Sequence, residues 1–146
     1  MNKRLMMLCA GLAALLSLAS HSFSQHPAKS GPDPWIHDDQ AIVVNVKNKG
    51  LVVPTGCGHA GVVSTLKCAR TVTGVDQIRA VIGGFHLTGP IFEPIVQPTV
   101  QALKEFNPSV VVPQHCTGWK ATHLIAREFS DAFVPNSVGT TTVIGS

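Results

Sequence analysis

The chain has 146 residues, of which 45% are hydrophobic and only 13% charged, the balance of a folded domain and not of a charge-extended disordered chain. Its formal charge of +3 comes without a dense Lys/Arg stripe. That removes the electrostatic footprint needed to neutralise phosphates, so no nucleic-acid partner is expected.

Residues 1–24 read as an export signal. Lys3 and Arg4 give a basic start, residues 5–19 are almost wholly apolar, and small side chains follow at Ser20, Ser22 and Ser24. The apolar run is shorter than the ~20 residues a bilayer span requires, which favours a cleaved signal over a retained anchor and predicts no stable membrane span after cleavage. Periplasmic or secreted location follows. Residues 25–37, rich in Pro, Gly, Ser and Lys, read as a flexible connector, and 38–146 as the folded domain. Cys9 lies in the apolar run, which leaves Cys57, Cys68 and Cys116, an odd number for an oxidising compartment.

Within the domain, residues 41–46 and 50–53 are short β-branched runs joined by Lys-Asn-Lys-Gly, which predicts an antiparallel hairpin. Val62, Val63, Leu66 and Ala69 recur at helical spacing up to Gly74, a residue suited to ending a helix. Residues 78–82 form a continuous apolar strand before Gly83-Gly84. Residues 99–106 are expected to be helical and to stop before Pro108, because the residue preceding a proline avoids helical angles. Another strand is expected at 110–112 and a helix at 118–129, with Ala121, Leu124, Ile125 and Phe129 as its inner stripe. Residues 132–134 and 140–144 read as closing strands. The order is ββαβαβαββ, an α/β layer arrangement.

Three histidines follow strands: His59 in Thr-Gly-Cys-Gly-His-Ala-Gly, His86 in Gly-Gly-Phe-His-Leu and His115 in Pro-Gln-His-Cys-Thr-Gly. Loops beyond the carboxyl ends of strands are where α/β sheets bind ligands, and the flanking glycines permit close approach to an ion. Three convergent imidazoles suit zinc or another divalent transition metal and leave one position open to water, whose pKa falls toward ~7 in such a site. Each histidine alone also reads as an ordinary loop residue hydrogen-bonded to backbone. Cys57 and Cys116 add thiolate ligands, pair as a disulfide, or simply pack tight loops; the last is the simplest reading. Asp38 and Asp39 orient a ligand, hold a second ion, or form a solvated turn. Cys68 reads as a small helix-packing group and His123 as a surface or packing residue, while His21, His26 and His37 lie outside the fold.

Several motifs in order carry a family resemblance: Asp-Asp-Gln-Ala at 38–41, Gly-Cys-Gly-His-Ala-Gly at 56–61, Ile-Gly-Gly-Phe-His-Leu at 82–87, His-Cys-Thr-Gly-Trp-Lys-Ala at 115–121 and Asn-Ser-Val-Gly at 136–139. Residues 39–139 thereby resemble the C-terminal half of metallo-β-lactamase-fold metal-dependent hydrolases, in the branch labelled 7,8-dihydropterin-6-methyl-4-(β-D-ribofuranosyl)-aminobenzene-5′-phosphate synthase. The resemblance implies half of an αββα sandwich with one or two metal ions at the sheet edge. His59, His86 and His115 are the positions that match the family's metal-side histidines. The family's first metal motif, His-x-His-x-Asp-His, has no counterpart in this sequence.

The expected activity is attack of a metal-activated water on an ester, lactone or phosphoester of a small-molecule substrate. The contrasting expectation is a non-catalytic remnant or interaction module of the same fold. Apolar burial stabilises by roughly 25 cal/mol per Å², so a sheet face left without its usual cover predicts a homo-oligomer or a partner chain over it.

Overall fold

The computed structural model describes residues 39–144 together with the backbone of Met7 and Leu8. The rest of the expected signal at 1–24, the connector at 25–37 and Asp38 lie outside the described residues. The elements run β1 (Met7–Leu8), β2 (Ile42–Val46), β3 (Gly50–Thr55), α1 (Val62–Thr73), β4 (Ile78–Gly83), α2 (Glu93–Lys104), β5 (Val110–Pro113), a 3₁₀ turn (His115–Thr117) and α3 (Trp119–Glu128). The sheet keeps chain order, β1-β2-β3-β4-β5. β1–β2 and β2–β3 are antiparallel, whereas β3–β4 and β4–β5 are parallel.

The expected hairpin is present. Val46 faces Gly50 across a turn in which Asn48 takes φ +60°, a left-handed value that asparagine tolerates better than most residues. Crossing from β3 to parallel β4 requires a helix-length connection, and α1 supplies it. Val62, Val63, Leu66 and Ala69 are all buried on its inner face, and Gly74 at φ +67° ends it by donating its backbone N–H to the Arg70 carbonyl. Leu51, Val53, Val81 and Val111 of the sheet join one core cluster with Val62, Leu66, Val100, Leu103 and Ile125 of the helices. Packing, and not side-chain capping, holds these helices, since none of the three has a side-chain hydrogen bond at its N-cap.

Two boundaries differ from the sequence reading. The helix expected at 99–106 begins six residues earlier, at Glu93, and ends at Lys104. Pro94 sits in the first turn, where a backbone N–H is not needed, and Pro98 lies inside the helix. An interior proline costs about 3 kcal/mol, which the buried face of Val96, Thr99, Val100 and Leu103 offsets. The closing strands are also reduced. Residues 132–134 make a single parallel bridge, Phe133 to Val111, held by Val111 N–H to Ala132 O at 2.7 Å and Val134 N–H to Val111 O at 2.9 Å. Residues 140–144 form no strand, and Val143 is 81% exposed.

Ile42 and Val44 share an exposed face of β2. Among the described residues no helix is long and apolar enough to cross a membrane.

On the outer surface α2 and α3 are tied by Lys104 Nζ, 2.8 Å from Glu128 Oε2. That hydrogen bond and charge, with a smaller contribution from Arg127, hold the Glu128 carboxyl below the usual glutamate range. The folded carboxyl therefore stays ionised to lower pH than the unfolded one. Its contribution is present above the ordinary glutamate pKa and is lost as pH falls through the depressed folded value, and solvent screening keeps it small. In an NMR titration Glu128 is expected to show a midpoint below its unfolded value that rises in Lys104→Ala; an unchanged midpoint in that variant contradicts the assignment.

Candidate metal centre

The parallel pairing of β3, β4 and β5 places Thr55 opposite Gly83 and Gly83 opposite Pro113. Three loops consequently leave the sheet side by side, at Gly56, Gly84 and Gln114. Backbone bonds lace them together: Gly84 N–H to Gly56 O at 2.9 Å, Gln114 N–H to Gly83 O at 2.8 Å and Leu87 N–H to Cys116 O at 3.1 Å. Thr117, fully buried, accepts the Phe85 N–H at 3.2 Å, and Phe85 itself is fully buried as an anchor for its loop.

This packing fills the three loop ends with donor atoms. Cys57 Sγ lies 3.2 Å from His115 Nε2, and the Cys116 thiol donates to the Cys57 carbonyl at 3.1 Å. The ligand atoms of Cys57, His115 and Cys116 all lie within 4.8 Å of one another. His59 and His86 are not members of that group. They form an adjoining pair with ring centroids 3.9 Å apart, and Phe92 meets His86 edge-on at 4.7 Å. His86 itself takes φ +49°, a conformation uncommon outside glycine and one that recurs at functional sites.

Asp39, weighed as an accessory ligand, receives the Ala60 N–H on its Oδ2 at 2.8 Å, which ties the residue after His59 to the segment entering β2. Cys57, Cys68 and Cys116 form no disulfide among the described residues. Cys68 is half-buried on α1, and His123 is an exposed residue of α3 whose ring lies 5.6 Å from that of Trp119 at a tilt of 50°. Burial pushes the Cys116 thiol up; a hydrogen bond with the His86 backbone opposes the rise and the Cys57 thiol adds to it.

Gly84 belongs to the glycine pair whose flanking of His86 was expected to permit close approach to an ion, and the structure shows how tightly the donors crowd it. A Cβ at that position would lie 2.5 Å from Cys116 Sγ, 2.8 Å from His115 Nε2 and 2.9 Å from Gly56 O. The residues present suit a divalent transition metal on three counts: imidazole and thiol donors crowd one volume, a glycine keeps that volume clear, and the buried Nδ1 of His59 has no hydrogen-bond partner among the described residues. Buried polar atoms are seldom left so.

The comparisons agree with this chemistry. No family model matches the chain. It is 38% identical over 96 residues to the 7,8-dihydropterin-6-methyl-4-(β-D-ribofuranosyl)-aminobenzene-5′-phosphate synthase of Methanocaldococcus jannaschii, an alignment covering 66% of this chain and 32% of that protein. It superposes with a TM-score of 0.68 and 34% identity on a crystal structure of a metal-dependent hydrolase of the β-lactamase superfamily, covering 75% of this chain and 42% of that one. The chain thus spans about a third of the curated relative and less than half of the solved structure, a partial coverage that fits the C-terminal half.

Over the residues they share, the chain has the fold of that β-lactamase-superfamily structure. Its sequence similarity runs to the dihydropterin-linked phosphate synthase.

Gly84→Ala is expected to retain its secondary structure by circular dichroism but to lose about 1–3 kcal/mol in urea unfolding, the range for overpacking a tight site. Stability equal to that of the unaltered protein would show that the three loops do not press on residue 84.

Proposed function

We propose that this chain supplies a divalent transition-metal centre to a β-lactamase-fold hydrolase acting on a small-molecule ester, lactone or phosphoester, with His59, His86 and His115 among the ion's ligands. The observation that carries the proposal is the alignment of Thr55, Gly83 and Pro113 at the carboxyl ends of parallel strands, which sets all three histidine-bearing loops on one sheet edge. Zinc is the first candidate, and one or two ions fit the proposal. When bound, such an ion polarises a carbonyl or phosphoryl oxygen and makes hydroxide available at neutral pH.

The chain's own residues prepare that position. Stacking against His86 limits rotation of the His59 ring, and the Phe92 edge limits His86 in turn. The Asp39 carboxylate holds the turn after His59 through the Ala60 N–H, which lowers the freedom that a ligand would otherwise lose on binding.

Export by residues 1–24 and burial of Ile42 and Val44 against a second copy or another chain belong to the same proposal. Both are supported by sequence pattern and by the exposure of those two side chains.

The test uses protein recovered from the periplasmic or secreted fraction, whose mass should lack residues 1–24. Elemental analysis should find divalent metal in stoichiometric amount, reduced in His59→Ala, His86→Ala and His115→Ala. Lactonase or phosphodiesterase turnover should disappear with a chelator and return with zinc or manganese. Metal content indifferent to all three substitutions, or hydrolysis indifferent to the chelator, rules the proposal out.

A further inference from the structure

We propose that Cys57 and Cys116 are themselves ligands, so that Cys57, His115 and Cys116 form a thiolate-rich position selective for thiophilic cations. The inference rests on reading this sheet edge as a metal centre, and it adds the two sulfurs to the histidine set without depending on hydrolysis. Its basis is geometric. A tetrahedral ion with metal–sulfur bonds of about 2.3 Å and a metal–nitrogen bond of about 2.0 Å holds its donor atoms roughly 3.5–3.8 Å apart. Here Cys57 Sγ and His115 Nε2 stand 3.2 Å apart, and all three donor atoms fall within 4.8 Å of one another. The Cys57–His115 pair is a few tenths of an ångström from that spacing, and no pair of the three is more than about 1 Å beyond it.

Two further observations separate this site from loops that merely pack small residues. The donors come from two segments far apart in sequence, the loop after β3 and the 3₁₀ turn after β5, and they converge over Gly84. Any side chain there would occupy the donors' space, with a Cβ 2.5 Å from Cys116 Sγ and 2.8 Å from His115 Nε2. The two thiols also form no disulfide among the described residues. The Cys116 S–H donates to the Cys57 carbonyl at 3.1 Å, whereas ligation would convert both sulfurs to thiolates and release their two protons to solvent. Two thiolates and the His115 imidazole form a three-ligand set whose fourth position is left to a neighbouring imidazole or to water. Soft sulfur donors favour zinc, cobalt, cadmium or copper(I) over magnesium and calcium.

Reduced, oxygen-free protein titrated with cobalt(II) should develop a near-ultraviolet sulfur-to-cobalt charge-transfer band. The band should fall by about half in Cys57→Ser and in Cys116→Ser, vanish in the double variant, and persist in Cys68→Ser. Zinc should displace the cobalt. In the unaltered protein, zinc should also shield residues 57 and 116, but not 68, from alkylation mapped by mass spectrometry, a readout that requires no variant to fold. The band should survive His59→Ala even if hydrolysis does not, so that failure of the hydrolase reading and failure of thiolate ligation are told apart. Cobalt bound with no charge-transfer band, a band indifferent to both cysteine variants, or equal alkylation of all three thiols with zinc present overturns the inference.

Discussion

Backbone hydrogen bonds from Gly84 to Gly56 and from Gln114 to Gly83 extend the parallel ladder one step past the strands, and the site depends on that extension. Within the ladder, neighbouring strands lie about 4.8 Å apart, so three loops leaving in register start within reach of one another. A sheet whose strands ended at different levels would scatter the same residues. Gly83 makes the closure possible. At φ +135°, with a Cβ there placed 2.0 Å from the Thr55 carbonyl, the position admits no side chain.

The centre has two parts with different chemistry. His59 and His86 stack beside one another, and the turn after His59 is tied to the segment entering β2 by Asp39. Cys57, His115 and Cys116 bring sulfur into the adjoining volume. Burial and the proximity of Cys57 push the Cys116 thiol up, and a bound positive charge would oppose that rise by stabilising the thiolate. In the proposed centre, metal binding would thereby release protons.

Much of this was legible in the sequence because it depends on local pattern. The helix at Val62–Thr73 announces itself by apolar spacing and a terminal glycine, and the loops carrying His59, His86 and His115 follow recognisable strands. What the sequence hid depends on tertiary packing. Pro94 and Pro98 argue locally against a helix that buried Val96, Val100 and Leu103 nevertheless hold in place. The β-branched run at 140–144 argues locally for a strand, yet it forms none and leaves Val143 81% exposed. Cys57 and Cys116 are 59 residues apart, and only the register of β3, β4 and β5 reveals that they meet. The same holds for Gly84, whose missing side chain matters because of what lies above it.

The most direct measurement of the central claim, that three aligned loops form one metal-binding volume, is X-ray absorption at the zinc edge on the loaded protein, paired with a crystal structure of the same sample. The account predicts metal at the carboxyl ends of β3, β4 and β5, with a mixed nitrogen and sulfur shell drawn from the loops beginning at Gly56, Gly84 and Gln114. An ion bound away from that edge, or a shell of oxygen alone, would contradict it.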